Sequence, residues 1–584
     1  MANIKEVFIL QSSDLKKWFK SYPDDIPKSI NYPVIPLYEI LEQATKKYPD
    51  KTATIFYNAK LNYKELSEQV NALAKSFQDL GVQKGDRVSI MLPNTPQLVI
   101  AYYAALKIGA IVVQTNPLYK ENELKHQMVD SGSKVIISLD MFYSTIQSVR
   151  KETYLENVIL TSLKDYLAFP LNLIYPLKEK KEGNSVKIPP QEDIIWFKSL
   201  VEKNKGKEPQ IPDLDPNEDL ALIQYTGGTT GTSKGAMLTH KNLVSNIYQM
   251  KHWIPDLKEG EEVTMGALPF FHVYGMTACM NYSIAAAGTL ILVPKFEVNT
   301  VLKLIKKYKP TLFPGVPTMY IALLNHPDIE KYDISSIRVC LSGAAPLPVK
   351  VQKQFEEITG GKLVEAYGLS ETSPAATCNL IYGHREEGSI GIPVPDTDCK
   401  VINLETGEEE VPIGERGELA IKGPQVMKGY WNMPEETETV LHDGWFYTGD
   451  IAIMDENGFF YIVDRKKDVI LAGGFNVYPR DIEEILYKHP KISEACIIGV
   501  SDDYRGETVK AYIVPNEGES LTESELEKYC KEHLASYKVP KIFELTDELP
   551  KTLVGKVLRR SLREQEEAKG EQETATSEES SETG

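Results

Sequence analysis

The stretch Tyr225-Thr-Gly-Gly-Thr-Thr-Gly-Thr-Ser-Lys234 lies between two runs with a strand pattern, Ala221–Tyr225 and Ala236–Thr239. Its glycines let the backbone turn so that N–H groups point inward, and its hydroxyl side chains add further donors. Lys234 supplies a point charge suited to polyphosphate. The sequence therefore predicts a strand–loop–strand unit that binds phosphate groups.

This loop differs from the Walker A loop of P-loop ATPases. Lys234 is followed by Gly235, where the Walker motif has the serine or threonine whose hydroxyl binds Mg²⁺. The segment after the loop also reads as a strand, whereas a P-loop leads into a helix. Both differences disfavour a P-loop ATPase.

Apolar residues alternate between strand and helix periodicity along the chain before this loop. Asn62 is a predicted N-cap because Glu65 follows three residues later, ahead of an apolar helical stripe. Val88–Leu92 reads as a strand, Gln97–Ile108 as a buried helix and Ile111–Gln114 as the next strand. This alternation predicts a layered α/β domain.

The chain of 584 residues exceeds one ordinary hydrophobic core. We place a boundary at Asp464, which gives an N-terminal domain over 1–463 and a small α+β domain over 464–564. In the second domain Glu494–Val500 and Thr508–Val514 read as strands and Leu521–His533 as a helix. Residues 565–584 are almost all polar or small, which predicts a disordered acidic tail.

Charge and cysteine usage exclude several classes of protein. The net charge of −18 argues against a general nucleic-acid binder, because phosphate backbones are bound by clustered cations. The six cysteines form no CxxC pair, so neither a disulfide framework nor a zinc site is expected. The sequence begins without signal-peptide features and has no apolar run of roughly 20 residues. A cytoplasmic location is expected.

Residues 165–182 interrupt the α/β pattern with an apolar stretch that ends in Lys-Glu-Lys-Lys-Glu. The stretch is too short to span a bilayer, but an apolar segment beside lysines can lie on a membrane surface. A surface hairpin packed on the domain is the equally weighted alternative. Peripheral attachment to the inner face of the cell membrane is therefore one of two expectations.

Several ordered motifs accompany the phosphate loop along the chain. They are Tyr367-Gly-Leu-Ser-Glu371, Tyr447-Thr-Gly-Asp450, Asp464-Arg-Lys-Lys-Asp468, Gly474-Phe-Asn-Val-Tyr-Pro479 and Pro550-Lys-Thr-Leu-Val-Gly-Lys556. In this order, from about Pro36 to Arg560, the chain resembles the adenylate-forming superfamily of acyl-CoA ligases, peptide-synthetase adenylation domains and firefly-type luciferases. The resemblance implies a large multi-layer N-terminal domain and a small mobile α+β C-terminal domain.

The resemblance also implies a two-step reaction that uses ATP, Mg²⁺ and coenzyme A. A carboxylate attacks the α-phosphate of ATP and expels pyrophosphate, and a thiol then attacks the acyl-adenylate. Because both steps concentrate negative charge, preorganised donors and cations are expected to carry most of the catalysis.

The nucleotide is expected to meet residues from several motifs. Tyr367 offers a ring on which adenine can stack, small residues let the purine approach, and Asp450 can accept bonds from two ribose hydroxyls near Arg465. The predicted ATP and AMP ligands are Thr226, Gly227, Gly228, Thr229, Thr230, Gly231, Lys234, Gly343, Ala344, Ala366, Tyr367, Gly368, Ser370, Asp450, Arg465 and Lys556.

The remaining roles follow from the resemblance. Glu371 is the expected Mg²⁺ ligand and Thr226 its hydroxyl partner. Lys556 is the expected catalytic cation over the α-phosphate, with Lys234 on the polyphosphate. Asp464 is the expected hinge of the small domain. Gly473 and Gly474 are the expected passage for the pantetheine of coenzyme A.

The acyl substrate is read from Pro269-Phe-Phe-His272 and the small-residue run over 276–288. Relatives that activate amino acids usually carry an aspartate at this turn, whereas Phe271 and His272 stand here. An amino acid substrate is thus disfavoured. The small residues fit either the wall of an alkyl tunnel or a packed core helix. His272 fits either a channel gate with a catalytic role or a core histidine.

Three readings of function follow. The first is a long- or medium-chain fatty acid–CoA ligase, and the second is an aryl-acid ligase, since Phe-His-Val-Tyr also resembles coumarate-type relatives. The third is a non-catalytic fatty-acid carrier or membrane partner with the same fold, and luciferase-type oxygen chemistry has no residue that marks it. The expected partners are the fatty acid, ATP and coenzyme A, without nucleic acid. The oligomeric state is open, with a homodimer among the alternatives.

Overall fold

A computed structural model describes residues 16–181, 186, 188–189, 194–226, 233–472, 475–502, 506–552 and 555–569. The chain divides into two compact units. The first comprises Met1–Asp398 and Ile421–Phe446, and the second Cys399–Ala420 and Tyr447–Gly584. The boundary predicted at Asp464 thus falls inside the second unit, which also takes up residues well before that position.

The first unit is built around a mostly parallel sheet, two strands of which flank the predicted phosphate loop. The described strands are, in spatial order, Gly429–Tyr430, Lys234–Thr239, Leu220–Thr226, Ile111–Gln114, Arg87–Met91, Val135–Leu139, Asn157–Thr161 and Ile194–Trp196. Lys234–Thr239 is antiparallel to the strands on either side of it, Gly429–Tyr430 and Leu220–Thr226. The other five strands run parallel to Leu220–Thr226. Strand–helix alternation confirms the α/β prediction.

Two further sheets and the short strand Leu441–His442 belong to the first unit. One has the order Val263–Gly266, Thr289–Leu292, Thr52–Phe56 and Ala59–Asn62. The other has the order Val339–Ser342, Lys362–Gly368, Ala375–Cys378 and Ile392–Pro393. Leu312 forms bridges to Thr264 and to Val339, one strand of each sheet, so the backbone connects the two sheets through this residue.

Helices pack between and around these sheets. They are Glu39–Lys47, Tyr63–Asp79, Pro96–Lys107, Glu121–Ser131, Tyr143–Arg150, Leu171–Lys181, Phe197–Lys203, His240–Trp253, Val273–Gly275, Tyr282–Ala285, Val298–Tyr308, Pro317–Leu324, Val349–Thr359 and Pro434–Val440. Asn62 caps Tyr63–Asp79 in a capping box with Glu65, as predicted. Every residue of Pro96–Lys107 is buried, which explains its lack of a polar face.

The second unit contains two sheets and a small helical layer. Its first sheet consists mainly of the strands Asp398–Ile402, Gly417–Lys422 and Trp445–Met454, with Phe460–Arg465 paired to Trp445–Met454. Its second has Phe475–Val477, Ile470–Ala472, Gly506–Pro515 and Ile492–Asp502, with Ile542–Leu545 paired to Gly506–Pro515. The helices are Pro479–Leu486, Glu523–His533 and 559–569.

Two predictions on the irregular segments need correction. Residues 171–181 form a helix rather than a hairpin, and the helix over 559–569 continues through the first five residues of the predicted tail. Two ion pairs hold this end of the helix, one between Glu566 and Lys510 and one between Lys569 and Glu544. The rest of the tail, 570–584, lies outside the described residues. Within the described ranges, every helix is too short or too polar to cross a bilayer.

Candidate active site

The base of the phosphate loop is an antiparallel pair of strands in the first unit. Thr226 and Lys234 are cross-strand partners, and the Thr226 hydroxyl donates to the Lys234 carbonyl at 3.4 Å. Ser233 Oγ donates to the Thr226 carbonyl at 2.7 Å, which closes the neck of the loop. The predicted ligands Gly227, Gly228, Thr229, Thr230 and Gly231 lie outside the described residues.

Small residues surround the predicted purine site at the ends of two parallel strands. Gly343 follows Val339–Ser342, and Ala366 lies near the end of the adjacent strand Lys362–Gly368. A Cβ added to Gly343 would lie 3.4 Å from the Ala366 carbonyl oxygen and 3.2 Å from the Tyr274 ring. The structure thus brings together segments that are more than 20 residues apart in sequence.

The backbone at this edge is locally constrained. Ala344 has a φ of 67°, a left-handed conformation that is uncommon for a residue with a side chain. Tyr367 is half-buried and pairs with Thr377, and Gly368 approaches so closely that an added Cβ would lie 1.9 Å from the Pro374 carbonyl oxygen. Only glycine fits at position 368, which fixes the turn into Ser370 and Glu371.

Glu371 lies in the 3-10 helix Ser370–Thr372, which packs against both strands of the loop base. The carboxylate is buried, with 8% of the residue exposed, and accepts a 2.7 Å hydrogen bond from the Tyr430 hydroxyl. Among the described residues, no group of three or more His, Cys, Asp or Glu side chains is placed to hold a metal ion. One carboxylate and the Thr226 hydroxyl suit Mg²⁺, which takes few protein ligands and completes its shell with phosphate and water oxygens.

The sequence did not reveal two residues of this neighbourhood, Tyr430 and Glu436. Lys234 forms an ion pair with Glu436 and lies 5.3 Å from the centroid of the Tyr430 ring. Burial and the Glu371 carboxylate raise the pKa of Tyr430 well above its ordinary value, so this phenol remains a donor. A contact between residues 59 positions apart carries no periodic signal that sequence alone could reveal.

Phe271 and His272 precede a buried helical segment. Gln224, next to the loop base, donates to the Phe271 carbonyl at 3.1 Å, and His272 Nδ1 accepts the backbone N–H of Tyr274. The helix continues as a π-helix over Met276–Asn281, a form often found at functional sites. The small-residue run is mostly buried, and His272 itself is half-buried at the start of the segment.

In the second unit, Asp450 and Arg465 are cross-strand partners. The Arg465 Nε lies 3.3 Å from Asp450 Oδ1, and Asp450 is 5% exposed. Thr448 Oγ1 donates to the Leu419 carbonyl and accepts the Asp450 N–H. These two bonds fix the backbone that leads into Asp450. The predicted pair for the ribose is therefore preformed within one sheet.

Lys556 is held on a tight turn in the same unit. Its N–H donates to Thr552 Oγ1 at 3.1 Å, its carbonyl accepts the Thr552 N–H at 2.8 Å, and Gly555 adopts a φ of 75°. Burial, with Arg465 and Lys467 acting in the same direction and Asp450 and Asp468 opposing them, lowers the pKa of Lys556 to about 8. The lysine thus lies within the electrostatic reach of the predicted ribose pair.

Asp464 is a buried carboxylate at the end of strand Phe460–Arg465. It accepts the backbone N–H of Arg465 at 2.8 Å and that of Arg480 at 2.9 Å. Burial raises its pKa to about 6, although the Arg559 guanidinium 3.8 Å away acts in the opposite direction. The predicted coenzyme A glycines, Gly473 and Gly474, lie outside the described residues.

Both units of the chain contain residues that match models of known protein families. Residues 41–431 match the family model of AMP-binding enzymes, and residues 481–556 match the model of the AMP-binding enzyme C-terminal domain. The chain belongs to the AMP-binding enzyme family.

Members and solved structures of this family resemble the chain over nearly its whole length. It is 51% identical to the long-chain-fatty-acid–CoA ligase of Bacillus subtilis, covering 94% of this chain and 98% of that protein. It is 34% identical to the probable 4-coumarate–CoA ligase 1 of Dictyostelium discoideum, over 92% and 96% of the chains. ATP-bound MatB from Rhodopseudomonas palustris aligns with a TM-score of 0.80 at 30% identity, over 91% and 98%.

The depressed pKa of Lys556 predicts a pH dependence. A lysine with a pKa of about 8 loses its charge as pH rises through that value, so kcat/KM for acyl-adenylate formation should fall above about pH 8. Lys556→Arg should lower the rate and move this alkaline limb out of the measured range, because arginine stays charged. Pyrophosphate release between pH 6.5 and 9.5 measures both.

The matched control is Lys467→Arg, because burial also lowers the pKa of Lys467 to about 8. This variant should keep the alkaline limb of the unaltered enzyme. If the limb moves with Lys467→Arg and stays with Lys556→Arg, the titrating cation has been assigned to the wrong lysine.

Proposed function

We propose that this protein ligates a long-chain fatty acid to coenzyme A through an acyl-AMP intermediate, with ATP consumed and AMP and pyrophosphate released. The observation that carries the proposal is the 51% identity, over nearly the whole of both chains, to a protein named for that reaction. Lys234, Glu371 and Lys556 stand at the predicted motif positions, which argues against a non-catalytic carrier of the same fold.

In the first step an oxygen of the fatty-acid carboxylate attacks the α-phosphorus of ATP, and the bond to the pyrophosphate oxygen breaks. Thr226 and Glu371 would hold Mg²⁺, which offsets the charge of the phosphate oxygens. We assign Lys234 to the polyphosphate, Asp450 with Arg465 to the ribose, and Lys556 to the charge that builds up at the reacting centre. Fixed cations stabilise this charge without reorganisation during the reaction.

In the second step the thiolate of coenzyme A attacks the acyl carbonyl, and AMP leaves. We assign the passage of pantetheine to Gly473 and Gly474, whose lack of side chains suits a narrow channel. His272 is proposed as a residue of the acyl or thiol channel. Its position beside Phe271, whose carbonyl accepts from Gln224 at the loop base, supports this assignment.

The choice of acid rests on the apolar surroundings of the same segment. Phe271 replaces the aspartate expected for an amino acid substrate, and the residues over 276–288 are mainly apolar and buried. An aryl acid is the second candidate, because Phe271-His-Val-Tyr274 resembles coumarate-type relatives and one relative carries that name at 34% identity.

A panel of acids separates these candidates. We expect pyrophosphate release and thioester yield to rise with chain length from six to about sixteen carbons, and to be at least tenfold lower with 4-coumarate, a difference of about 1.4 kcal/mol in transition-state binding. A preference for 4-coumarate over palmitate would favour the aryl-acid ligase. Absence of AMP with every acid would leave only the non-catalytic reading.

We propose Asp464 as the hinge between the two half-reactions. Its side chain joins two chain segments, because one carboxylate oxygen accepts from Arg465 and the other from Arg480. A change of backbone angles at this residue would therefore alter the link between Phe460–Arg465 and the helix that begins at Pro479. Residues that absorb such changes are typical hinges.

Asp464→Pro tests this hinge by fixing φ at about −65°. We expect acyl-adenylate formation to remain and transfer from preformed acyl-AMP to coenzyme A to fall at least tenfold, measured in separate single-turnover assays. Asp464→Ala is the control, because it removes the carboxylate but leaves the backbone free to rotate. Wild-type rates of both half-reactions in Asp464→Pro would refute the hinge assignment.

We propose peripheral membrane contact through the helix Leu171–Lys181. Leu173, Ile174 and Leu177 lie on one face and are exposed by 67%, 51% and 69%, and Phe169 just before the helix is 79% exposed. Single exposed apolar residues are common, but a cluster of four marks a binding surface. Lys180 and Lys181 at the helix end suit anionic headgroups.

The double variant Leu173→Asp/Leu177→Asp should weaken sedimentation with vesicles of phosphatidylglycerol and phosphatidylcholine at least tenfold. Burial of the two leucine side chains in the membrane surface contributes a few kcal/mol of binding free energy, which the variant loses. Its two new carboxylates are also repelled by the anionic lipid surface. Val34→Asp is the control, because Val34 is 70% exposed elsewhere. Equal sedimentation of all three proteins would contradict the membrane assignment.

A further inference from the structure

We propose that Tyr430 is a positioning residue that links the phosphate lysine Lys234 to the metal carboxylate Glu371, and that Glu436 holds Lys234 until polyphosphate displaces it. This inference rests on the proposed function, because it takes MgATP as the ligand. The four side chains belong to the first unit and form a continuous series of contacts, from Glu436 to Lys234 to Tyr430 to Glu371.

Tyr430 is fixed from both sides of its backbone. It pairs with Ala236 as the edge strand beside Lys234–Thr239, and its N–H donates to Thr437 Oγ1 at 2.9 Å. Its side chain is buried, so the ring cannot turn away into solvent. The phenol therefore reaches Glu371 from a rigid position.

The hydroxyl of Tyr430 constrains one half of the Glu371 carboxylate. It donates to Oε1 at 2.7 Å, and the Glu371 carbonyl accepts the Met427 N–H at 2.8 Å. A hydrogen bond to one oxygen fixes the orientation of the carboxylate, which is how outer partners tune metal ligands. Without the hydroxyl, a buried carboxylate would lose a donor and its preferred rotamer.

The ring of the same residue contacts Lys234. The ammonium lies 5.3 Å from the ring centroid, within the range of a cation–π contact, and is also paired with Glu436. The Glu436 side chain is 49% exposed, whereas that of Lys234 is 17% exposed. A solvated carboxylate is a weak partner, so the charge of a polyphosphate can replace it.

The helix that carries Glu436 is joined to Tyr430. Thr437, the next residue of Pro434–Val440, accepts the Tyr430 N–H and donates to the Met433 carbonyl. Departure of Lys234 from Glu436 therefore occurs beside the residue that orients Glu371. Residues 429–440 therefore contact both the lysine proposed to bind phosphate and the carboxylate proposed to bind the metal.

Tyr430→Phe tests the link to the metal carboxylate. Titration calorimetry without any acid gives the dissociation constant for ATP with Mg²⁺ and for ATP in EDTA. We expect the MgATP constant to rise about tenfold, the low end of the effect of removing such an outer partner, and the metal-free constant to change less than twofold. The Mg²⁺ concentration that half-activates pyrophosphate release should rise in parallel.

Tyr32→Phe is the matched control, because Tyr32 donates to the Asp396 carboxylate at 2.9 Å outside the site. Both constants should stay unchanged in this variant. An unchanged MgATP constant in Tyr430→Phe, or an equal rise in both constants, would overturn the positioning role. These measurements contain no fatty acid, so they remain informative if the proposed substrate is wrong.

Glu436→Gln tests the placeholder role independently, at an exposed position that does not threaten folding. Removal of the competing charge should lower the dissociation constant for metal-free ATP about threefold. An unchanged or higher constant would show that the ion pair does not compete with phosphate, and would overturn this half of the proposal.

Discussion

The antiparallel pairing of Leu220–Thr226 with Lys234–Thr239 is the constraint on which the candidate site depends. This register places the Thr226 hydroxyl against the backbone of Lys234 and closes the neck of the phosphate loop. The helical turn of Glu371 packs on the same two strands, and the edge strand of Tyr430 adds to them. A slip of one residue would turn each of these side chains to the opposite face.

Cations are placed at particular positions in a chain that is acidic as a whole. The chain carries a net charge of −18, yet the proposed reaction brings together a polyphosphate and a carboxylate. Cations are therefore placed locally rather than spread over the surface. Lys234 has a carboxylate partner in Glu436, whereas Lys556 is held among charges of both signs with a lowered pKa. These surroundings suit the different roles proposed for the two lysines, exchange of partners for Lys234 and response to charge at the reacting centre for Lys556.

The same sequence uses one local rule in two places. Gly368 and Gly555 each stand at a turn next to a predicted site residue, the first because a Cβ would overlap the Pro374 carbonyl and the second because its φ is positive. Local motifs of this kind are visible in a sequence because they depend on neighbours in the chain. The capping box of Asn62 and the fully buried helix Pro96–Lys107 belong to the same class.

Sequence alone determined what depends on local pattern, namely the α/β alternation and the two strands on either side of the predicted phosphate loop. The roles of the motif residues from Thr226 to Lys556 stay predictions. Only tertiary structure decided that Gly343 lies against Ala366, that Tyr430 donates to Glu371, and that Glu436 pairs with Lys234. It also decided that 171–181 is a helix with an exposed apolar face. The physical reason is that hydrogen bonds and ion pairs between distant segments follow from strand register and packing, which leave no periodic trace in the chain.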